Sequence, residues 1–178
     1  MKTVIIFIIL SFNLGFAQNC FDETKEVKKI LRSSGVEMHD AKIIGACVDY
    51  SSQMLHLTIT LDPLTVYSYS QFVPMENYFA LLTLEPFFTS AKKIYEKLLM
   101  LKNYTLYIVE FKNVVDQYGN FSHKEKKILS TIGMSSETAL KINWKYVKDK
   151  LFTTFANGKD EDKILFIKML DHYEVNPF

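Results

Sequence analysis

Residues 41–61 read AKIIGACVDYSSQMLHLTITL, and how this stretch divides decides the fold. Ala41–Tyr50 and Gln53–Leu61 are rich in β-branched and aliphatic residues. Ser51 and Ser52 between them are turn formers, so the stretch predicts a β-hairpin. With Tyr50 facing Gln53, Val48 meets Leu55, Ala46 meets Leu57 and Ile44 meets Ile59. All six then share one face, as the period-two rule requires of a strand that covers a core. The opposite face pairs Cys47 with His56.

Upstream, Asp22–Ser34 predicts a helix, with Val27, Ile30 and Leu31 on one side and Gly35 placed to end it. At the start of the chain Lys2 precedes an apolar run, Val4–Leu10, that continues through Leu14 to Gly15, Phe16 and Ala17. These are the three regions of a secretory signal peptide, so residues 1–17 are expected to be cleaved and residues 18–178 to form a single globular domain, secreted or periplasmic. Asn19 before Cys20 argues against lipoprotein processing, which wants a small residue there. No later apolar stretch is longer, so no transmembrane segment is expected in the mature chain.

Downstream, Pro63–Leu84 is dense in aromatic residues and reads as a loop leading into a short helix or strand. Pro86 suits the first turn of a helix whose Phe87, Ala91, Ile94, Tyr95, Leu98 and Leu101 recur at helical spacing. Tyr104–Val115 carries Tyr, Val, Ile and Phe on both alternating faces, as in a central strand covered on two sides. The turn Asp116–Asn120 leads to a second strand, Lys127–Met134. Ser135 or Ser136 can cap a helix carrying Leu140, Trp144, Val147 and Leu151, which Asn157 and Gly158 end before a last helix, Asp160–His172. The sum is an α+β domain with a mainly antiparallel sheet of two hairpins and helices packed on one face, the other face being exposed. A cone-shaped sheet of the nuclear-transport-factor (NTF2-like) or cystatin-like type is the alternative.

Charge and composition exclude several functions. The formal net charge is +1, and Lys2 leaves with the leader, so the mature chain is formally neutral and no nucleic-acid partner is expected. Arg32 is the only arginine, so no set of guanidinium forks exists for gripping phosphate. Cys20 and Cys47 survive cleavage, and an exported chain with two cysteines invites a disulfide. Left unbridged, Cys47 opposite His56, with Asp49 on the same face, would resemble the thiol, base and orienting carboxylate of a hydrolase. Glu37, His39 and Asp40 lack a further ligand at metal-binding spacing, so neither metal nor cofactor is expected. Ser90 and Lys93 match the serine-lysine spacing of penicillin-recognising enzymes by chance, since the chain is too short for that fold and has no Lys-Thr-Gly element.

The leading expectation is an exported noncatalytic binding domain for a protein, peptide or glycan. Its surface is expected on the second sheet face and the aromatic segment, with Tyr67, Tyr69 and Phe72 as binding residues, because such side chains give large contact area at low entropic cost. The alternatives are a thiol-dependent hydrolase using Cys47 and His56, and a carrier of a small apolar ligand.

Overall fold

A computed structural model describes residues 20–33, 41–61 and 75–175. The expected leader, residues 1–17, and Glu37, His39, Asp40, Tyr67, Tyr69 and Phe72 lie outside the described residues. In chain order the elements are β1 (Cys20–Asp22), α1 (Thr24–Ser33), β2 (Ala41–Asp49), β3 (Met54–Leu61), α2 (Met75–Lys97), β4 (Asn103–Val115) and β5 (Phe121–Ser135). They continue with α3 (Ser136–Lys141), α4 (Trp144–Asn157), α5 (Asp160–Lys168) and β6 (His172–Val175). The described strands form one sheet in the order β1-β2-β3-β4-β5-β6. Every neighbouring pair is antiparallel except β3 with β4, which are parallel and joined through α2. A parallel pair needs a crossover on one face of the sheet, and α2 supplies it. The expected α+β architecture with two hairpins and helices on one face is therefore present, extended at either edge by the short strands β1 and β6.

The first hairpin has the predicted register close to its turn, with Val48 opposite Leu55, Cys47 opposite His56 and Ala46 opposite Leu57. Farther out it differs. A bulge between Ile43 and Gly45 sets Ile43, in place of Ile44, opposite Ile59, since one extra residue on a bulged strand moves the register by one. The core face continues across the parallel pair as Leu55 opposite Tyr104, Leu57 opposite Leu106 and Ile59 opposite Ile108, all fully buried. Phe87, Ala91 and Ile94 of α2 cover them. Phe87 stacks on Tyr104 with ring centres 5.2 Å apart. The Tyr104 hydroxyl meets Ser90 Oγ at 2.7 Å, while Ser90 donates to the Pro86 carbonyl at 2.7 Å. That network satisfies a buried phenol that would otherwise cost stability.

Several boundaries correct the sequence reading. Pro86 lies in the interior of α2 rather than in its first turn. A proline there gives no N–H to the carbonyl one turn earlier, which normally ends a helix. Here buried Leu81, Thr83 and Leu84 before it and Phe87 and Phe88 after it pack into one continuous core, and that burial carries the helix through. The expected single helix after Ser135 is two helices. Ser135 caps α3 by accepting from Thr138 N, and Asn143 caps α4 by accepting from Tyr146 N at 3.1 Å. Leu140, assigned to a core stripe by spacing, is 88% exposed. The last helix stops at Lys168, and the chain returns to the sheet as β6. The second strand of the second hairpin begins at Phe121, six residues before the expected start at Lys127.

Candidate functional site

The outer face of the sheet carries the arrangement that most resembles catalytic machinery. Cys47 and His56 are register partners there, as expected, but Cys47 is bonded to Cys20 in a disulfide with Cα atoms 5.4 Å apart. The sulfur therefore carries no thiol to act as a nucleophile. The carboxylate is also engaged elsewhere. Asp49 accepts from Ser51 N at 2.9 Å, from Ser51 Oγ at 2.5 Å and from Ser52 Oγ at 2.7 Å, closing the β2–β3 turn. Those hydrogen bonds, from Ser51 first and then Ser52, hold its pKa down at about 2. His56 stacks against Tyr107, ring centres 5.8 Å apart, with the Tyr107 hydroxyl 3.3 Å from Nδ1. Partial burial lowers the imidazole pKa below its ordinary value, and the Asp49 charge offsets part of that. The three groups thus form a bridged sulfur, a stacked imidazole and a turn brace.

Phe87 and Phe88, which follow the aromatic segment, are both buried. Phe88 meets Trp144 and Phe166 edge to face at 6.4 and 6.2 Å, which ties α2 to α4 and α5. These two rings therefore serve the core. Ser90 is fully buried on the sheet side of α2, and Lys93 pairs with Glu96 at 3.1 Å on the water side. Their sequence spacing does not bring hydroxyl and amine together. Among the described residues no three His, Cys, Asp or Glu side chains gather as a metal site, and no helix is long and apolar enough to cross a membrane.

Two concavities lie beside α2 among the described residues. One, of about 560 Å³, runs between the C-terminal end of α2 and α3, with Tyr95, Leu98, Leu101 and Ala139 among its lining residues. The other, of about 680 Å³, runs between α2 and α4, with Phe88, Val147, Leu151 and Phe152 among its lining residues. Lys92 and Trp144 line both, so the two concavities adjoin along α2 and are together called the trough. At one end Leu99 and Leu140 stand 87% and 88% exposed. The lining of the other half carries Lys92, Lys93, Lys145 and Lys148 together with Glu85. Lys92 and Lys93 share Glu96, at 3.8 and 3.1 Å, whereas Lys145 and Lys148 are exposed and form no ion pair among the described residues.

Two local features make the trough. The break at Ile142 and Asn143 turns α3 away from the line of α4, and the Trp144 indole N–H donates to the Ala139 carbonyl at 3.1 Å. The indole is thereby held at the junction of the two halves. Sequence spacing concealed this surface, because one continuous helix would have sent Leu140 into the core. Comparison with protein-family models, with curated proteins and with solved structures found no match to the chain.

Proposed function

We propose that the chain is an exported noncatalytic binding domain whose trough along α2 receives an acidic, amphipathic segment of a protein or peptide partner. The observation that carries this reading is the pairing of apolar lining with a lysine-rich rim in two adjoining concavities along α2. A helical segment laid in such a groove buries its apolar face on Leu98, Val147 and Leu151, and acids on its flanks meet Lys145 and Lys148. Exposed Leu99 and Leu140 extend the apolar contact beyond the lysines, giving the ligand a direction. A thiol mechanism has no support, because Cys47 is bridged. The trough opens to solvent along its length, which suits a peptide better than an enclosed apolar molecule.

The test uses a synthetic helical peptide with Leu on one face and Glu on the other, against a control in which Lys replaces Glu. Calorimetry on the full mature chain is expected to show saturable binding of the acidic peptide alone. Lys145→Glu with Lys148→Glu should weaken it by roughly tenfold or more, with an unchanged melting temperature because both side chains are exposed. Absence of saturable binding, or equal binding by the charge-reversed variant, refutes the reading.

A further inference from the structure

β4 and β5 are longer than the sheet that holds them. β3 pairs with β4 only from Asn103 to Ile108, and β6 pairs with β5 only from Ser130 to Gly133. Beyond Val109 and Ile128 the two strands continue as a ribbon with no third strand among the described residues. A two-stranded ribbon in water is marginal by itself, yet its apex is closely built. The Asp116 carboxylate accepts from Tyr118 N at 2.8 Å and from Asn120 N at 2.9 Å. Asp116 N donates to the Asn120 carbonyl at 2.9 Å, and Gly119 takes the left-handed φ of 83° that closes the turn.

That closed turn holds Tyr118 at the tip, 79% exposed. Val115 and Phe121, register partners at the base of the turn, are 56% and 62% exposed, and Phe111 lies exposed farther back. Three large apolar side chains at one protruding end exceed the scattered exposure that any protein surface shows. Behind them the charges divide between the two faces of the ribbon, with Glu125 opposite Lys112 and Glu110 opposite Lys127 on one face. Lys124 and Lys126 are exposed, and their register partners are Asn113 and Phe111, so neither lysine faces an acid across the ribbon.

We propose that this hairpin is a membrane-surface anchor that places Tyr118, Phe121 and Val115 at the interface of a bilayer carrying anionic phospholipids, with Lys124 and Lys126 on the headgroups. On the face of Lys124 and Lys126 the order from apolar side chains to lysines follows the passage from the acyl boundary to the phosphate layer, while the Asp116 carboxylate at the turn is engaged by Tyr118 N and Asn120 N. Tyrosine suits the tip because its ring is apolar and its hydroxyl stays wet. A turn already closed by Asp116 loses little entropy on insertion. Lipid is favoured over a protein partner by this lengthwise segregation; a protein hot spot would instead set its apolar side chains in the middle of a polar rim.

Cosedimentation of the full mature chain with vesicles of phosphatidylglycerol and phosphatidylcholine, against phosphatidylcholine alone, tests the anchor. Binding is expected to the anionic vesicles and to weaken as salt rises. Lys124→Gln with Lys126→Gln should reduce partitioning by roughly tenfold or more. Tyr118→Ser with Phe121→Ser should bring it down to the level of the neutral vesicles. Hydrogen exchange should slow on vesicle binding at the amides from Val115 to Phe121. All four side chains are exposed, so melting temperature serves as the folding control. Failure of the wild-type chain to bind anionic vesicles, equal binding to neutral ones, or unchanged partitioning in either variant overturns the proposal.

Discussion

Gly158 follows α4 with a φ of −76°, a value open to any L-residue, so backbone freedom is not what requires glycine there. Close approach is. A Cβ at this position would collide with the Thr154 carbonyl oxygen, and that oxygen belongs to helix backbone that accepts from Gly158 N. Gly158→Ala is expected to cost about 1–3 kcal/mol, as overpacking against backbone does, read from the denaturant midpoint; a wild-type midpoint would contradict it. Asp49 makes a prediction in pH. Its folded pKa of about 2 lies below the ordinary 3.8 because Ser51 and Ser52 hydrogen-bond the carboxylate. A depressed acid pKa stabilises the fold above the unfolded value, and that contribution is lost as pH falls through the folded one. The part of the melting temperature due to the β2–β3 turn should therefore decline between about pH 4 and pH 2. Asp49→Asn should flatten the decline in that window, and a variant with the wild-type acid limb would refute the assignment.

At the level of elements, sequence pattern was informative where one face of a strand or helix meets one core. Residues 46–48 and 55–57 alternate cleanly, and the register near the turn follows from that alternation. The pattern failed where a boundary depends on tertiary contact. Nothing local at Ile43 marks the bulge that displaces Ile44 from Ile59. β1 and β6 are only three and four residues long, too short to carry a period, and each exists because an exposed edge lies beside it. Pro86 was legible as a helix residue but not as an interior one, since only the core beneath it offsets the missing N–H. The candidate trough was hidden for a similar reason. Asn143 is an ordinary polar residue until its side chain is seen capping α4, and that cap is what leaves Leu140 outside. The ribbon was not legible, since the second strand was expected to begin only at Lys127 and Tyr104–Val115 to be covered on both faces; its protrusion depends on where β3 and β6 stop pairing.

For the molecule as a whole, the disulfide and the core occupy different parts of the sheet. The fully buried side chains of β3 and β4 lie at its centre under α2, whereas Cys20 belongs to the edge strand β1. β1 and the start of α1 are also held by polar contacts: Glu23 N donates to the Ala46 carbonyl at 2.9 Å, and Ala46 N donates to Thr24 Oγ1 at 2.8 Å. The bridge spans 27 residues, and closing a loop of that length removes roughly 3–4 kcal/mol of unfolded-state entropy in the chain-entropy model. The Cys20→Ser, Cys47→Ser variant should therefore remain folded and lose stability of about that size, measured by urea unfolding. Local exchange should separate the two parts of the molecule. Amides of β1 and α1 should lose protection at low denaturant, while those from Leu55 to Ile59 and from Tyr104 to Ile108 should open only with global unfolding. Loss of cooperative unfolding in the variant would show that the bridge carries the core itself, contrary to where the burial lies. An intact core with a loosened edge would show that oxidation secures β1 and α1 onto a domain already held together by its apolar centre.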